Sequence, residues 1–122
     1  MDRIFVIRVD LSLDNRMCIT RLEVHGHALK EEQGLSVPCA AVSALAGTAA
    51  RLIETDKRID LDGNAAVQGD LDFCIVKVSD DRVEWLRGIT DFLVLGLKQV
   101  EMEYPRDCSV MMKIQEDYRY GT

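Results

Sequence analysis

Residues 24–45 decide the fold of this chain, and they read VHGHALKEEQGLSVPCAAVSAL. A strand-like run ends in His-Gly-His, a polar loop punctuated by Gly34 follows, and Cys39 then opens a run of small apolar residues. If that run forms a helix, Cys39 lies in its first turn, where free backbone N–H groups and the helix dipole favour a negative charge. Such a position favours the thiolate form of a cysteine. A histidine at the end of the preceding strand would then supply the base that a cysteine nucleophile requires.

Two strand-like runs, residues 4–13 and 19–25, lead into this stretch. Both alternate between apolar and polar positions and are rich in β-branched side chains, which predicts two strands. The turn signal Asp-Asn-Arg between them predicts a hairpin. In the second strand we expect Ile19 to share a face with Arg21 and Glu23.

The run that follows the cysteine, residues 39–54, predicts a helix because alanine and other residues of high helix propensity fill it. Ser36 is a suitable N-cap. Pro38 is tolerated in the first turn, because its missing N–H would have no helical partner there. The helix is apolar nearly all round, which favours a central position in the fold.

The middle of the chain combines a loop with strands. Residues 60–66 predict a loop, because they contain the turn pair Asp62-Gly63. Residues 73–78 predict a strand, and we expect a shorter strand near residues 65–68.

A second long helix is expected over residues 82–104, since apolar residues recur there every three or four positions. Asp80 and Asp81 favour its start, and Pro105 ends it. A closing strand is expected over residues 109–115. The apolar face of the helix consists of Val83, Leu86, Ile89, Leu93, Leu97, Val100 and Tyr104.

The predicted element order is β-β-α-β(β)-α-β. Such an order favours an α+β fold, with a small antiparallel-dominated sheet and two helices on one of its faces. The length of 122 residues suits one domain, which we expect to span residues 1–122.

Composition and charge exclude several classes of protein. The formal net charge of −6 argues against a chain that holds nucleic acid through its phosphates, and it suits a basic protein or peptide partner. The first residues enter a strand directly and show no signal peptide. No apolar run approaches the roughly 18 residues that a membrane span needs. Four cysteines without a C-x-x-C pair indicate free thiols in a reducing cytoplasm.

The chemistry of the chain centres on Cys39, His25 and His27, since the only two histidines lie just before the cysteine. In a strand, the two histidines would point to opposite faces. At most one of them would therefore face Cys39, unless Gly26 breaks the pleat. Gly26 and Gly34 permit backbone conformations that other residues avoid, so the loop between them can fold back over a substrate.

Two other interpretations of Cys39 remain open from the residues alone. A cysteine with apolar neighbours is most often a small core residue. A zinc site from His25, His27 and one or two cysteines is an alternative, because structural zinc takes four N or S ligands, but His-x-His has no matching second pair here. We therefore expect no metal and no other cofactor. The cysteines that we interpret as structural are Cys18, Cys74 and Cys108.

The motif His-Gly-His-Ala, followed by a short loop, a glycine and Cys-Ala-Ala-Val-Ser, resembles the ribosomal-processing cysteine protease family, Prp. The resemblance covers essentially the whole chain, including its length, its layout and the pair Tyr104-Pro105 before the last strand. It implies a cytoplasmic bacterial endopeptidase that removes a short N-terminal extension from the precursor of a large-subunit ribosomal protein. It also implies a homodimer, with Cys39 as the nucleophile and His27 as the general base.

The chain departs from this family just before the cysteine. Members usually carry a Gly-x-Asp there, whose acid helps to fix the histidine, whereas this chain has Gly-Leu-Ser with Ser36 in the acid's place. We therefore expect reduced activity. Backbone N–H groups around Cys39 and Ala40 would stabilise the oxyanion, with Ser36 and His25 as supporting residues. The alternatives are a non-catalytic relative that binds a ribosomal protein or a ribosome-associated partner, and a small structural domain that retains only the fold.

Overall fold

The computed structural model describes residues 7–26, 37–65 and 71–115. Within these ranges the chain forms two helices, α1 (Val37–Glu54) and α2 (Val83–Glu103). Its strands are β1 (Ile7–Asp14), β2 (Ile19–His25), β3 (Ile59–Asn64), β4 (Leu71–Val78) and β5 (Cys108–Gln115). The element order is the predicted one, and a short 3-10 turn over Asp80–Arg82 leads into α2.

The described strands form one sheet in the order β3-β4-β2-β1-β5. Three neighbouring pairs are antiparallel, namely β1 with β2, β2 with β4, and β3 with β4. β5 runs parallel to β1 at the edge of the sheet. The prediction of an α+β fold with an antiparallel-dominated sheet is therefore confirmed.

Alternation along the strands separates a covered face of the sheet from an uncovered one. In β1 every second residue is at most 2% exposed, and these residues are Ile7, Val9, Leu11 and Leu13. Both helices contact the sheet and each other. The apolar core lies between the sheet and the helices, and the charged side chains of Arg8, Asp10, Arg21 and Glu23 lie on the uncovered face.

The predicted placement of Ile19 beside Arg21 and Glu23 is wrong. The register between β1 and β2 shifts between Ser12 and Leu13, which is an irregularity of the β-bulge type. A bulge adds one residue to a strand and so changes the face to which the side chains beyond it point. Ile19 is consequently 0% exposed and belongs to the core.

Helix α1 begins at Val37, slightly before the predicted start, and it accommodates Pro38 in its first turn. The predicted central position is wrong, because α1 buries only one side, while Val37 and Leu52 are 61% and 46% exposed. Small residues made the sequence look apolar all round, although only one face is packed. By length and composition alone α1 could cross a membrane, yet 44% of its residues are buried inside this domain.

The predicted apolar face of α2 is confirmed, since Leu86, Leu93 and Leu97 are each 0% exposed. The helices approach closely at Gly96, where a Cβ atom would lie 2.9 Å from Cδ2 of Leu45. A larger residue at position 96 would therefore require the flexible end of the Leu45 side chain to shift.

The predicted loop over residues 60–66 is wrong for its larger part, because Ile59–Asn64 forms strand β3. Gly63 pairs with Phe73 of β4 and has φ +112°. A Cβ atom there would clash with the carbonyl oxygen of Asp72, so the glycine permits a close backbone approach within the sheet. The shorter strand expected near 65–68 falls largely outside the described residues, and Ala65 is not part of a strand.

Candidate active site

Cys39 lies in the first turn of α1, and its side chain is 4% exposed within the core between sheet and helices. The first-turn N–H groups of a helix have no acceptor inside the helix, and together with the helix dipole they create a positive electrostatic potential at its start. No acidic side chain lies in the first turn of α1 to offset this potential. The structure therefore places Cys39 at the helix start that the sequence predicts.

The surroundings of Cys39 in the helix differ from one side to the other. Pro38 is buried next to it, whereas Val37 and Ala40 are exposed. Among the described residues, the helix start thus has a buried side and an exposed side.

His25 is the last residue of β2, and the structure does not bring it to Cys39. Its Nε2 atom lies 3.0 Å from Oε1 of Glu23, and its side chain is 33% exposed on the uncovered face of the sheet. Cys39 lies in the core on the helix side of the same sheet. The pairing with Glu23 was not predicted from the sequence, although the Glu-x-His spacing places both side chains on one face of a strand.

Gly26 ends the strand geometry directly before the second histidine. β2 stops at His25, and Gly26 has φ +77°, a left-handed conformation that favours glycine. The strand alternation that would place the two histidines on opposite faces therefore does not extend past His25. The predicted base His27, the loop glycine Gly34 and the supporting Ser36 lie outside the described residues, and their roles stay predictions.

The remaining cysteines differ in their surroundings. The Cys18 thiol donates to the carbonyl oxygen of Val83 at 3.4 Å, and burial, reinforced by the nearby Asp14 carboxylate, raises its pKa to about 11. Burial also raises the pKa of the Cys108 thiol, with smaller contributions from Glu101 and Asp107. All four cysteines of the chain are free thiols.

One cluster of potential metal ligands occurs among the described residues, formed by Asp10, Glu23 and His25. Its ligand atoms lie within 4.8 Å of one another on the uncovered face. The Asp10 carboxylate pairs with Arg8 at 3.3 Å and the Glu23 carboxylate with Arg21 at 3.0 Å, so both acids already have cationic partners. His25 faces away from Cys39, which weakens the alternative of a zinc site that combines these two residues.

Several solved structures have a fold similar to that of this chain. The chain is similar to SMU.848 from Streptococcus mutans, with 19% identity and a TM-score of 0.68 over 90% of this chain and 96% of that chain. It is also similar to an essential ribosomal processing protease Prp from S. aureus, in complex with a covalently linked product peptide. In that comparison the identity is 24% and the TM-score 0.66, over 88% of this chain and 100% of the protease. The S. aureus protease in complex with a substrate peptide gives 23% identity and a TM-score of 0.64.

The sequence itself identifies the family. No curated protein matches the chain. The family described as Cysteine protease Prp matches residues 6–109, which is most of the 122 residues and includes both histidines and Cys39. The chain therefore belongs to the Prp cysteine protease family.

Proposed function

We propose that this chain is a cysteine endopeptidase that removes the N-terminal extension of a bacterial large-subunit ribosomal protein precursor in the cytoplasm. The observation that supports this most is the position of Cys39 in the first turn of α1, in a chain that the Prp family matches over residues 6–109. Cys39 acts as the nucleophile and His27 as the general base.

The proposed reaction is ordinary acyl transfer. His27 takes the thiol proton, the Cys39 sulfur attacks the scissile carbonyl, and a tetrahedral oxyanion forms. The backbone N–H groups of Cys39 and Ala40 donate to this oxyanion, because those of a first helical turn point out of the helix. His27 then protonates the leaving amine, and water releases the acyl group from the sulfur.

The loop between Gly26 and Gly34 is proposed to cover the substrate. The left-handed conformation of Gly26 supports a change of chain direction directly after β2. That change of direction would let His27 leave the strand plane and reach the helix start.

The proposed partner is a ribosomal protein precursor, bound through its N-terminal peptide. The related S. aureus protease has been crystallised with a substrate peptide, and the net charge of −6 of this chain complements a basic ribosomal protein. We expect no direct contact with nucleic acid, no membrane association and a homodimeric assembly.

A non-catalytic relative that binds the same precursor is the second candidate. It is favoured by one observation, the presence of Ser36 where the family usually carries an acid. Without a carboxylate beside the base, binding could persist while turnover is lost.

The deciding experiment is incubation of the purified chain with the co-encoded precursor, followed by mass spectrometry of the intact products. We expect a single cleavage near the precursor N-terminus that the Cys39→Ala variant does not produce. Binding of the precursor without cleavage would instead support the non-catalytic relative. Neither binding nor cleavage would support a structural domain.

A further inference from the structure

The uncovered face of the sheet carries a set of potential metal ligands on its two inner strands β1 and β2. Asp10 of β1 lies directly opposite Glu23 of β2, and His25 follows Glu23 by two residues on the same face. One oxygen of each carboxylate and one ring nitrogen of His25 lie within 4.8 Å of one another. On their other sides β1 pairs with β5 and β2 with β4, so both strands that carry the ligands are held within the sheet.

The two carboxylates of this set repel each other. Like charges that lie directly opposite on neighbouring strands destabilise a sheet, and Asp10 and Glu23 are such a pair. A divalent cation between the two carboxylates would replace this repulsion by attraction to both of them.

The imidazole of His25 distinguishes the set from an ordinary acidic cluster. Its Nε2 atom lies 3.0 Å from Oε1 of Glu23. Ligand atoms that lie about 2.0–2.1 Å from a tetrahedral zinc ion are about 3.3 Å from one another, so this pair already has nearly the required spacing. The side chain of Asp10 is one third exposed, and it can approach the other two ligands by rotating about its own bonds.

Two arginines contact the same carboxylates, and a metal ion has to compete with them. Arg8 lies 3.3 Å from the Asp10 carboxylate, but its side chain is 60% exposed, and ion pairs of exposed side chains contribute little. Arg21 lies 3.0 Å from the Glu23 carboxylate, and its Nη2 atom also donates to both carboxylate oxygens of Asp72, at 3.1 and 3.2 Å. Arg21 therefore keeps an acidic partner when Glu23 turns towards a metal ion.

We propose that Asp10, Glu23 and His25 bind one divalent transition-metal ion, through one oxygen of each carboxylate and Nε2 of the imidazole. Water completes the coordination, and the proton of the hydrogen bond between His25 and Glu23 leaves to solvent. The dication balances the two negative charges. The site includes neither Cys39 nor His27, so it is separate from the zinc site considered from the sequence and does not rest on the proposed protease activity.

The ligand set also determines which metal ions are expected to bind. Imidazole nitrogen suits zinc, copper and nickel. Calcium takes six to eight oxygen ligands and magnesium requires a near-octahedral oxygen shell, which two carboxylates do not supply. We therefore expect Zn²⁺ and Ni²⁺ to bind at concentrations at which Ca²⁺ and Mg²⁺ do not.

The site is tested by isothermal titration of Zn²⁺ into the full chain that carries Cys39→Ala, because this substitution removes a thiol that could compete for zinc. We expect one zinc ion per chain. In the same background, His25→Ala, Glu23→Gln and Asp10→Asn should each weaken binding by at least the roughly 10–100-fold that is typical of lost outer-shell partners, since they remove direct ligands.

Asp62→Asn is the matched control, because it removes an exposed acid of β3 outside the ligand set, and it should leave zinc affinity unchanged. Circular dichroism of each variant checks that the fold is retained. The proposal would be overturned if the Cys39→Ala chain bound no zinc, or if His25→Ala and Glu23→Gln bound it as tightly as their parent.

Two further measurements separate this site from binding by the remaining thiols. Co²⁺ in place of Zn²⁺ should bind without the near-ultraviolet charge-transfer band of a thiolate ligand, and the presence of that band would contradict the assignment. Zn²⁺ should also raise the melting temperature of the Cys39→Ala chain, because a ligand that binds only the folded state stabilises it. An equal rise in the chain that also carries His25→Ala would overturn the proposal.

Discussion

Cys39 and Cys18 are both buried thiols, 4% and 0% exposed, but they occupy different positions relative to the secondary structure. Cys18 lies beside the Asp14 carboxylate, and burial together with that negative charge raises its pKa to about 11. Cys39 lies at a helix start whose first turn, as the structure describes it, holds no acidic side chain, and the helix dipole there favours negative charge. Burial alone therefore does not separate a structural cysteine from a candidate nucleophile, and the position of each cysteine relative to helix starts and acidic side chains has to be considered as well.

The largest expected effect comes from removing each thiol in turn. Cys39→Ala should reduce cleavage of a precursor-derived peptide to the uncatalysed level, a loss on the order of 10⁴-fold or more, because no other group can form the acyl bond. Cys18→Ala should retain activity and lower the free energy of unfolding by about 1 kcal/mol, since it removes only packing and one thiol hydrogen bond. Peptide cleavage assays and thermal denaturation measure the two effects. Full activity of Cys39→Ala would exclude this residue as the nucleophile.

The two histidines can be compared in the same way, by the effect of each on kcat. His27→Ala should reduce kcat by roughly 10²–10⁴-fold, which is typical of a lost general base. His25→Ala should change kcat much less, because His25 pairs with Glu23 on the uncovered face of the sheet. Steady-state kinetics on the two variants distinguish them. A larger loss in His25→Ala than in His27→Ala would show that the wrong histidine has been assigned as the base.

Alkylation rates measure the contrast between the thiols directly. A pKa of about 11 in place of 9.0 makes the Cys18 thiolate about 100-fold scarcer at pH 7 than that of an ordinary thiol. Iodoacetamide should therefore label Cys39 first and Cys18 last, as read by mass spectrometry of the digested protein. Labelling of Cys18 should rise about tenfold per pH unit until the pH approaches 11, since only the thiolate reacts. Equal labelling of Cys39 and Cys18 at pH 7 would contradict the electrostatic distinction.

Local patterns predicted the fold well where one face of an element meets the core. The alternation in β1 and the apolar face of α2 follow directly from residue spacing, and both are confirmed. Three other features depend on contacts with residues that are distant in the sequence. Ile19 enters the core through a shift in strand register, and Gly63 permits a close approach to β4 instead of forming a turn. The exposed side of α1 could not be recognised because its small residues look equally apolar on all sides.

The candidate site was predicted for a different reason, and its residue roles stay predictions. Its signal was a short motif, because chemistry requires particular residue types close to a helix start. The structure describes Cys39, Ala40, His25 and Gly26, and it shows His25 directed away from Cys39. The exposed apolar residues Phe92, Leu95 and Met102 of α2 were not predicted, because the core-facing residues already accounted for the helix.

The smallest expected effect concerns Ser36 and tests whether charge also matters at the base. A carboxylate at this position would hold the tautomer of His27 and stabilise the imidazolium formed during attack, whereas a hydroxyl offers a neutral acceptor. Hydrogen bonds to charged groups contribute about 1.5–3 kcal/mol, against about 0.5–1.5 for neutral ones. The difference corresponds to roughly tenfold in rate, so Ser36→Asp should raise kcat/KM on a precursor-derived peptide by about that factor.

Ser36→Asn is the matched control for this gain. Asparagine has nearly the shape of aspartate, and both are good N-caps for α1, so a benefit from capping alone would appear in both variants. A benefit from charge should appear only in Ser36→Asp, and it should disappear as the pH falls through the range in which the new carboxylate is protonated. The comparison of the cysteines adds one constraint, because an acid too close to a thiol disfavours the thiolate, as Asp14 does at Cys18. If Ser36→Asp lowers kcat/KM while Ser36→Asn does not, the added charge acts on Cys39 and not on His27, and the missing acid is not what limits this site.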